Sequence, residues 1–220
     1  NDTDISKSGH FASASAIRTV LLNPSKSALV SDISSFLPAS SLELLDNNQN
    51  KQAFLSENDF SLLLHYQLLR EMDFGFSSYS DVSEDLSNRI QNKVSSFTNW
   101  SDFALSLKSK ELTYTRINRA LTHILLGITN DKLLFAKSNH PLYLRILGFS
   151  KNASLLLSSI KHNSSIPLIS KLADAKNSLS AASYAMLKTD IFASDVYRTV
   201  KTAKTGQNNP NEFKQSPILL

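Results

Sequence analysis

The chain has 220 residues, 41% of them hydrophobic and only 19% charged, with a formal charge of +4 and a pI near 9.2. That length fits one large or two small domains with a real core, and the mild basicity permits an anionic partner without demanding one, because clustering of the charges decides. The lack of cysteine excludes disulfides, zinc–cysteine sites and thiol catalysis, and no apolar run nears the ~18 to 20 residues of a bilayer span. No basic-then-apolar leader opens the sequence either, so a cytoplasmic protein without a membrane or secreted role is expected.

Near the start, Ser13 and Ser15 precede Ile17 and Arg18 in a helix-like run through Leu22. Serines there can cap a helix whose N–H groups and positive dipole end face an anion, with Arg18 one turn in as a fixed charge. A plain capped helix with a solvated arginine accounts for the same residues. Pro38 then opens a short helix through Leu42 to Leu45, which ends in an Asn-rich loop. From Ser56 to Met72 the apolar positions cover more than one face, which predicts a central, well-buried helix. Gly75 and a serine cluster break the chain. Leu86, Ile90, Val94 and Phe97 give the next helix one buried stripe, and Asn99 starts a short helix through Leu107.

The clearest helix spans Leu112 to Ile128. Ile117, Leu121 and Ile124 form its apolar face, and Arg116, Arg119 and His123 line another. A polar connection is expected from Asn130 to Pro141. Beyond it, Leu142 to Phe149 reads as a strand, Ala153 to Ile160 as a helix and Ile166 to Ser170 as a second strand, together a small parallel βαβ unit. Pro167 weakens the second strand because it cannot donate to a ladder. A last helix is expected from Leu179 to Val200, followed by a flexible stretch from Lys204 to Pro210 and a short apolar tail. The fold class is therefore mainly α, multi-helical, with one small βαβ element.

Catalytic motifs are sparse. His10, His65, His123, His140 and His162 form no His-Glu-x-x-His pair, and no Gly-x-Ser-x-Gly elbow, dinucleotide glycine turn or Walker loop occurs, so neither a metal site nor a catalytic residue is expected in this chain. Glu84 and Asp85 could form a carboxylate pair, but acidic groups in a first helical turn are explained by the helix dipole. Lys108, Lys110, Arg116 and Arg119 fall within twelve residues around Tyr114, and Arg145, Lys151 and Lys161 flank the βαβ element. A solvated helix face explains them; so does a patch that tracks phosphates, against which Glu111 counts.

Taken in order, the blocks Ser13 to Arg18, Ser83 to Ile90, Lys108 to Lys110 with Thr113 to Leu125, Leu144 to Phe149 and Ile166 to Lys171 resemble the C-terminal half of bacterial tRNA(Met) cytidine acetate ligases. Two positions depart from the family's pattern: Asp85, where glycine is common, and Glu111, where a basic residue is common. The resemblance implies an enzyme whose Rossmann-like nucleotidyltransferase domain carries a His-x-Gly-His ATP motif, which these 220 residues lack. Such enzymes activate acetate with ATP as acetyl-adenylate and acetylate N4 of the wobble cytidine in elongator tRNA(Met).

On this resemblance, residues 1–35 are the tail of the nucleotide-binding domain and residues 36–220 a helical, tRNA-engaging domain. Ser13, Ser15, Ile17 and Arg18 then face the ATP phosphates, and Lys108, Lys110, Arg116, Arg119, Arg145 and Lys151 face RNA. The chain alone is expected to be catalytically silent. Two further readings stay open: a related nucleotidyltransferase acting on a small metabolite, and a non-enzymatic helical module for packing or dimerisation.

Overall fold

Many of the described helices start where a short polar side chain accepts from one of the first N–H groups, as Ser83, Asn99, Thr113, Thr129 and Ser180 do. The computed structural model describes residues 12–22, 33–47, 54–139 and 142–220. Helix α1 spans Ala14–Leu22 and α2 spans Ala39–Asn47, the latter opened by Pro38, whose carbonyl accepts from Ser41 and Leu42. A 3-10 turn at Glu57–Phe60 leads into α3, Ser61–Glu71. That turn begins in a capping box: the Ser56 N–H donates to Asp59 Oδ2 at 2.6 Å. Ser83 caps α4, Glu84–Lys93; Asn99 caps α5, Trp100–Leu107; and Thr113 caps α6, Tyr114–Leu126. Gly127 closes α6 at φ +66°, a left-handed cap that glycine adopts without a Cβ clash.

Helices α3 to α6 share one core. Leu64, Leu68, Leu86, Ile90, Leu107, Ile117, Leu121 and Ile124 are all fully buried in it. Each such side chain stabilises the fold by roughly 1.5–3 kcal/mol relative to exposure. The expectation of a well-buried α3 needs correction, because only Leu64 and Leu68 reach the core while Leu62 is 81% and Tyr66 63% exposed. Apolar spacing shows which positions share a face, but only neighbouring elements decide which face is covered.

The expected polar connection after Asn130 is instead a helix, α7, Asn130–Ser138, capped by Thr129. Its apolar residues Leu133, Leu134 and Phe135 are consecutive and spread round the helix, so no periodic stripe marks it. The expected strand from Leu142 to Phe149 also divides. Its first half is β1, Leu144–Arg145, and its second half is β2, Gly148–Phe149, in a different sheet. Helix α8, Ser154–Asn163, separates them from β3, Leu168–Ile169.

Strands β1 and β3 pair in parallel, Leu144 opposite Leu168, so the βαβ unit forms as read. Pro167 fits because it stands before β3 and uses only its carbonyl, which accepts from the Leu144 N–H at 2.9 Å. A short helix α9, Ala175–Ser178, precedes the long α10, Ala181–Thr205, and the chain ends in β4, Ile218–Leu219. Lys204 and Thr205, read as the start of a flexible stretch, are thus the last residues of α10. Strand β4 pairs with β2 in parallel, and a Cβ on Gly148 would lie 3.0 Å from the Ile218 carbonyl oxygen, so a larger residue fits only if β4 gives way by a few tenths of an ångström.

A second core gathers Ile169, Leu172, Ala175, Leu187 and Ile191, with Tyr143 and Tyr184 against it. The Tyr143 hydroxyl donates to Asp190 at 2.5 Å, and burial followed by that carboxylate pushes its pKa well above the ordinary tyrosine range. Helix α10 joins the two cores, packing on α9 at one end and on α6 and the Glu57–Phe60 turn at the other.

Candidate functional site

At α1 the serine cap is present. Ser13 Oγ accepts from the Ala16 N–H at 3.1 Å, and the Ser13 carbonyl accepts from the Ile17 N–H at 3.1 Å. Ala16 is buried and Ile17 half-buried, whereas Ser15 and Arg18 are exposed. One face of α1, from Ala14 through Ile17, Arg18 and Leu21, lines a pocket of about 350 Å³ whose other walls are Phe54, Leu55 and Tyr197 of α10. Apart from Arg18 and the tyrosine hydroxyl, the side chains lining it are apolar. The arginine therefore stands at the mouth of an apolar hollow one turn after the helix start.

The second group centres on α6. The buried stripe Ile117, Ala120, Leu121 and Ile124 fixes the rotation of the helix and leaves Arg116 and Arg119 on its exposed side. Arg119 grips Asp81 with two hydrogen bonds, Nε to Oδ2 at 2.7 Å and Nη2 to Oδ1 at 2.8 Å. His123, one turn on, places Nδ1 2.9 Å from the Ser80 carbonyl oxygen and 3.2 Å from Asp81 Oδ2. The Arg119 hydrogen bond, against a smaller effect of burial, holds the Asp81 carboxyl below the usual carboxylate range; the charges of Arg119, His123 and Arg116 add to it.

Asp81 occupies the left-handed region at φ +64°, the non-glycine residue with positive φ among those described. Aspartate and asparagine tolerate it better than most side chains. The turn is pinned to the end of α6, since the Ser80 N–H donates to the Ile128 carbonyl at 2.9 Å and the Asn130 N–H to that of Ser78 at 3.0 Å. Reading the sequence for charge periodicity finds Arg116 and Arg119 and misses Asp81. The signal was the short Tyr79-Ser80-Asp81 turn, whose place beside α6 no local pattern reveals.

The remaining basic residues divide between two regions. Lys108 and Lys110 are exposed in the connection from α5 to α6, near the start of the arginine-bearing helix. Tyr114 turns away from them, its hydroxyl donating to Glu57 at 3.1 Å. Arg145 and Lys151 belong to the strand-bearing region. Arg145, with 28% of its side chain exposed, is paired with Glu212, which is 14% exposed; Lys151 is exposed. Arg145 also borders a pocket of about 190 Å³ with Ser170, Gln215 and Ser216. Asp85 pairs with Arg89 at 2.8 Å in the first turns of α4. Among the described residues, which exclude His10 and His140, no group of three or more His, Asp or Glu could hold a metal, and no helix is long and apolar enough to cross a membrane.

A mostly helical chain with short parallel strands and this arrangement matches the HIGH nucleotidyl transferase family over residues 1–212, and the chain belongs to that family. It is similar to the tRNA(Met) cytidine acetate ligase of Lysinibacillus sphaericus, 30% identical over 94% of this chain and 49% of the relative. The ligase of Thermoanaerobacter pseudethanolicus is 34% identical over 89% of this chain and 46% of its own length. The chain thus spans about half the length of the curated relatives it matches. Its fold is that of Thermotoga maritima TmcAL. The apo crystal structure superposes with a TM-score of 0.86 at 22% identity, covering 100% of this chain and 53% of that one. The crystal structure bound with alpha-thio ATP gives 0.83 at 23% identity, covering 96% and 52%.

Proposed function

We propose that this chain is the C-terminal part of an ATP-dependent tRNA(Met) cytidine acetate ligase and supplies tRNA engagement rather than turnover. The observation that carries this reading is identity of 30–34% over about nine-tenths of the chain with relatives so named. In the proposed reaction acetate attacks the α-phosphorus of ATP, releasing pyrophosphate. The N4 amine of the wobble cytidine then attacks the acetyl carbonyl, and AMP leaves. Residues 1–35 belong to the nucleotide-binding domain and residues 36–220 to the RNA-engaging one, in a protein of the bacterial cytoplasm.

The roles follow the chemistry of the groups. Arg18, beside Ser13, Ser15 and Ile17, offers a planar fork to ATP phosphates at the start of α1. Arg116, Arg119, Lys108 and Lys110 offer cations to the RNA backbone, and Arg145 and Lys151 a second basic locus. Each phosphate neutralised releases counterions, so binding is expected to fall with salt.

The test is to incubate the full-length gene product with ATP, labelled acetate and total tRNA. Label in tRNA supports the reading. Acetate-dependent adenylate formation without label in RNA favours an enzyme of a small metabolite, and neither result leaves a packing module. The 220-residue chain by itself is expected to retard tRNA while showing no acetate-dependent ATP–pyrophosphate exchange.

A further inference from the structure

We propose that Asp81 sets specificity among RNAs at the α6 face by holding Arg119 in a single orientation, an inference that rests on the RNA-binding reading above. A guanidinium has five N–H donors. Two of those on Arg119 are committed to Asp81, through Nε and Nη2, which leaves the Nη1 edge and the second Nη2 hydrogen for a phosphate. The Arg119 side chain is 58% exposed, so that edge is within reach of a ligand.

The carboxylate cannot swing away with the arginine. Asp81 sits at φ +64° in a turn tied to α6 by the Ser80 to Ile128 hydrogen bond, and His123 Nδ1 approaches the same Oδ2 at 3.2 Å. Uncommon backbone conformations of this kind persist where the surroundings over-determine them, and they concentrate at binding sites. Asp81 therefore turns a flexible cation into a fixed fork.

Two guanidiniums, Arg116 and Arg119, stand near one carboxylate, so the group keeps a net positive charge and still attracts phosphate. An anion arriving on the Asp81 side meets the carboxylate, whereas one arriving on the open edge meets donors already aligned. A fixed donor edge beside a fixed negative charge rewards one backbone path and penalises others; it gives discrimination more than affinity. Lys108 and Lys110, exposed and without such a fork, attract any phosphate equally.

The experiment measures binding of the 220-residue chain to an elongator tRNA(Met) transcript and to an unrelated tRNA transcript at one salt concentration. Asp81→Asn keeps the side-chain shape and a residue suited to left-handed backbone while removing the charge. It is expected to tighten binding of the unrelated tRNA by about three- to tenfold, as one additional free cation does, and to leave elongator tRNA(Met) within about twofold. In an Arg119→Gln background the same substitution should leave the ratio of the two affinities unmoved, which a general structural defect would not. Equal tightening of both RNAs overturns the proposal, since Asp81 is then a mere counter-charge; an unchanged ratio overturns it as a purely structural ion pair, and so does equal affinity of the unsubstituted chain for both RNAs. If Arg119→Gln alone affects neither RNA, the RNA-binding reading of this face fails and the proposal falls with it. Should circular dichroism show Asp81→Asn unfolded, Arg119→Lys keeps the charge and removes the fork; the ratio is then expected to fall, and its persistence overturns the proposal.

Discussion

Lys204, at the end of the longest described helix, donates to Asp59 Oδ2 at 2.9 Å and to the Phe54 carbonyl at 3.0 Å, joining segments some 145 residues apart in sequence. Asp59 is also the residue that closes the capping box before α3, so one carboxylate both starts that helix and anchors α10.

That double use has a pH consequence. Burial pushes the Asp59 carboxyl up, but the Lys204 and Ser56 hydrogen bonds and the Lys204 charge outweigh it and leave the pKa below the ordinary 3.8. A carboxyl lowered in the folded state contributes stability that is fully present above its unfolded pKa and is lost as pH falls through the folded value. Asp59→Asn should therefore lower the urea midpoint clearly at pH 7 and much less near pH 2, where the native carboxyl is itself being protonated. Equal losses at both pH values would show that the packing of Asp59, not its charge, matters.

One leucine inside the first core and one outside it should behave oppositely. Leu121 is fully buried on α6, so Leu121→Ala is expected to cost about 2–5 kcal/mol. Leu62 is 81% exposed on α3, and Leu62→Ala should fall within about 0.5 kcal/mol of neutral. Denaturant unfolding of the isolated chain measures both. A loss above about 2 kcal/mol for Leu62→Ala would restore the fully buried α3 that its apolar sequence suggests.

Replacing Arg116 and Arg119 together with Gln should weaken binding to different tRNAs, and to elongator tRNA(Met) most. It should lower the magnitude of the log–log salt slope by roughly 1.4 to 1.8, at about 0.7 to 0.9 per phosphate. Arg119 is more than half exposed, so loss of its bond to Asp81 should change stability little. An unaltered slope, read from titrations at several salt concentrations, means that this face is only solvated.

In the full-length gene product, Arg18→Ala is expected to reduce ATP use on the order of tenfold or more, because a charge-assisted guanidinium contact contributes roughly 1.5 to 3 kcal/mol. Lysine should restore part of it, lacking the planar fork. Steady-state titration of ATP decides the matter: unchanged ATP dependence returns Ser13 and Arg18 to the part of a capped helix with a solvated cation.

Periodicity and capping are local properties, and where they suffice the structure can be read from neighbouring residues. The buried stripe of α6 follows from Ile117, Leu121 and Ile124 at helical spacing, although the expected bounds, Leu112 and Ile128, overran Thr113, which caps the helix, and Gly127, which ends it. The cap at Ser13 and the parallel βαβ unit were legible on the same grounds. Helix α7 was not, because three consecutive apolar residues leave no stripe for a periodic reading to detect. Nor was the exposure of Leu62 and Tyr66, since covering a face depends on which other elements arrive there. The tertiary structure alone decided that Asp81 grips Arg119 and that Glu212 pairs with Arg145, carboxylates 38 and 67 residues from their partners. Charges that far apart in sequence carry no mutual spacing signal; they meet only after packing has fixed the helix rotations, and the backbone turns, that bring them within hydrogen-bond reach.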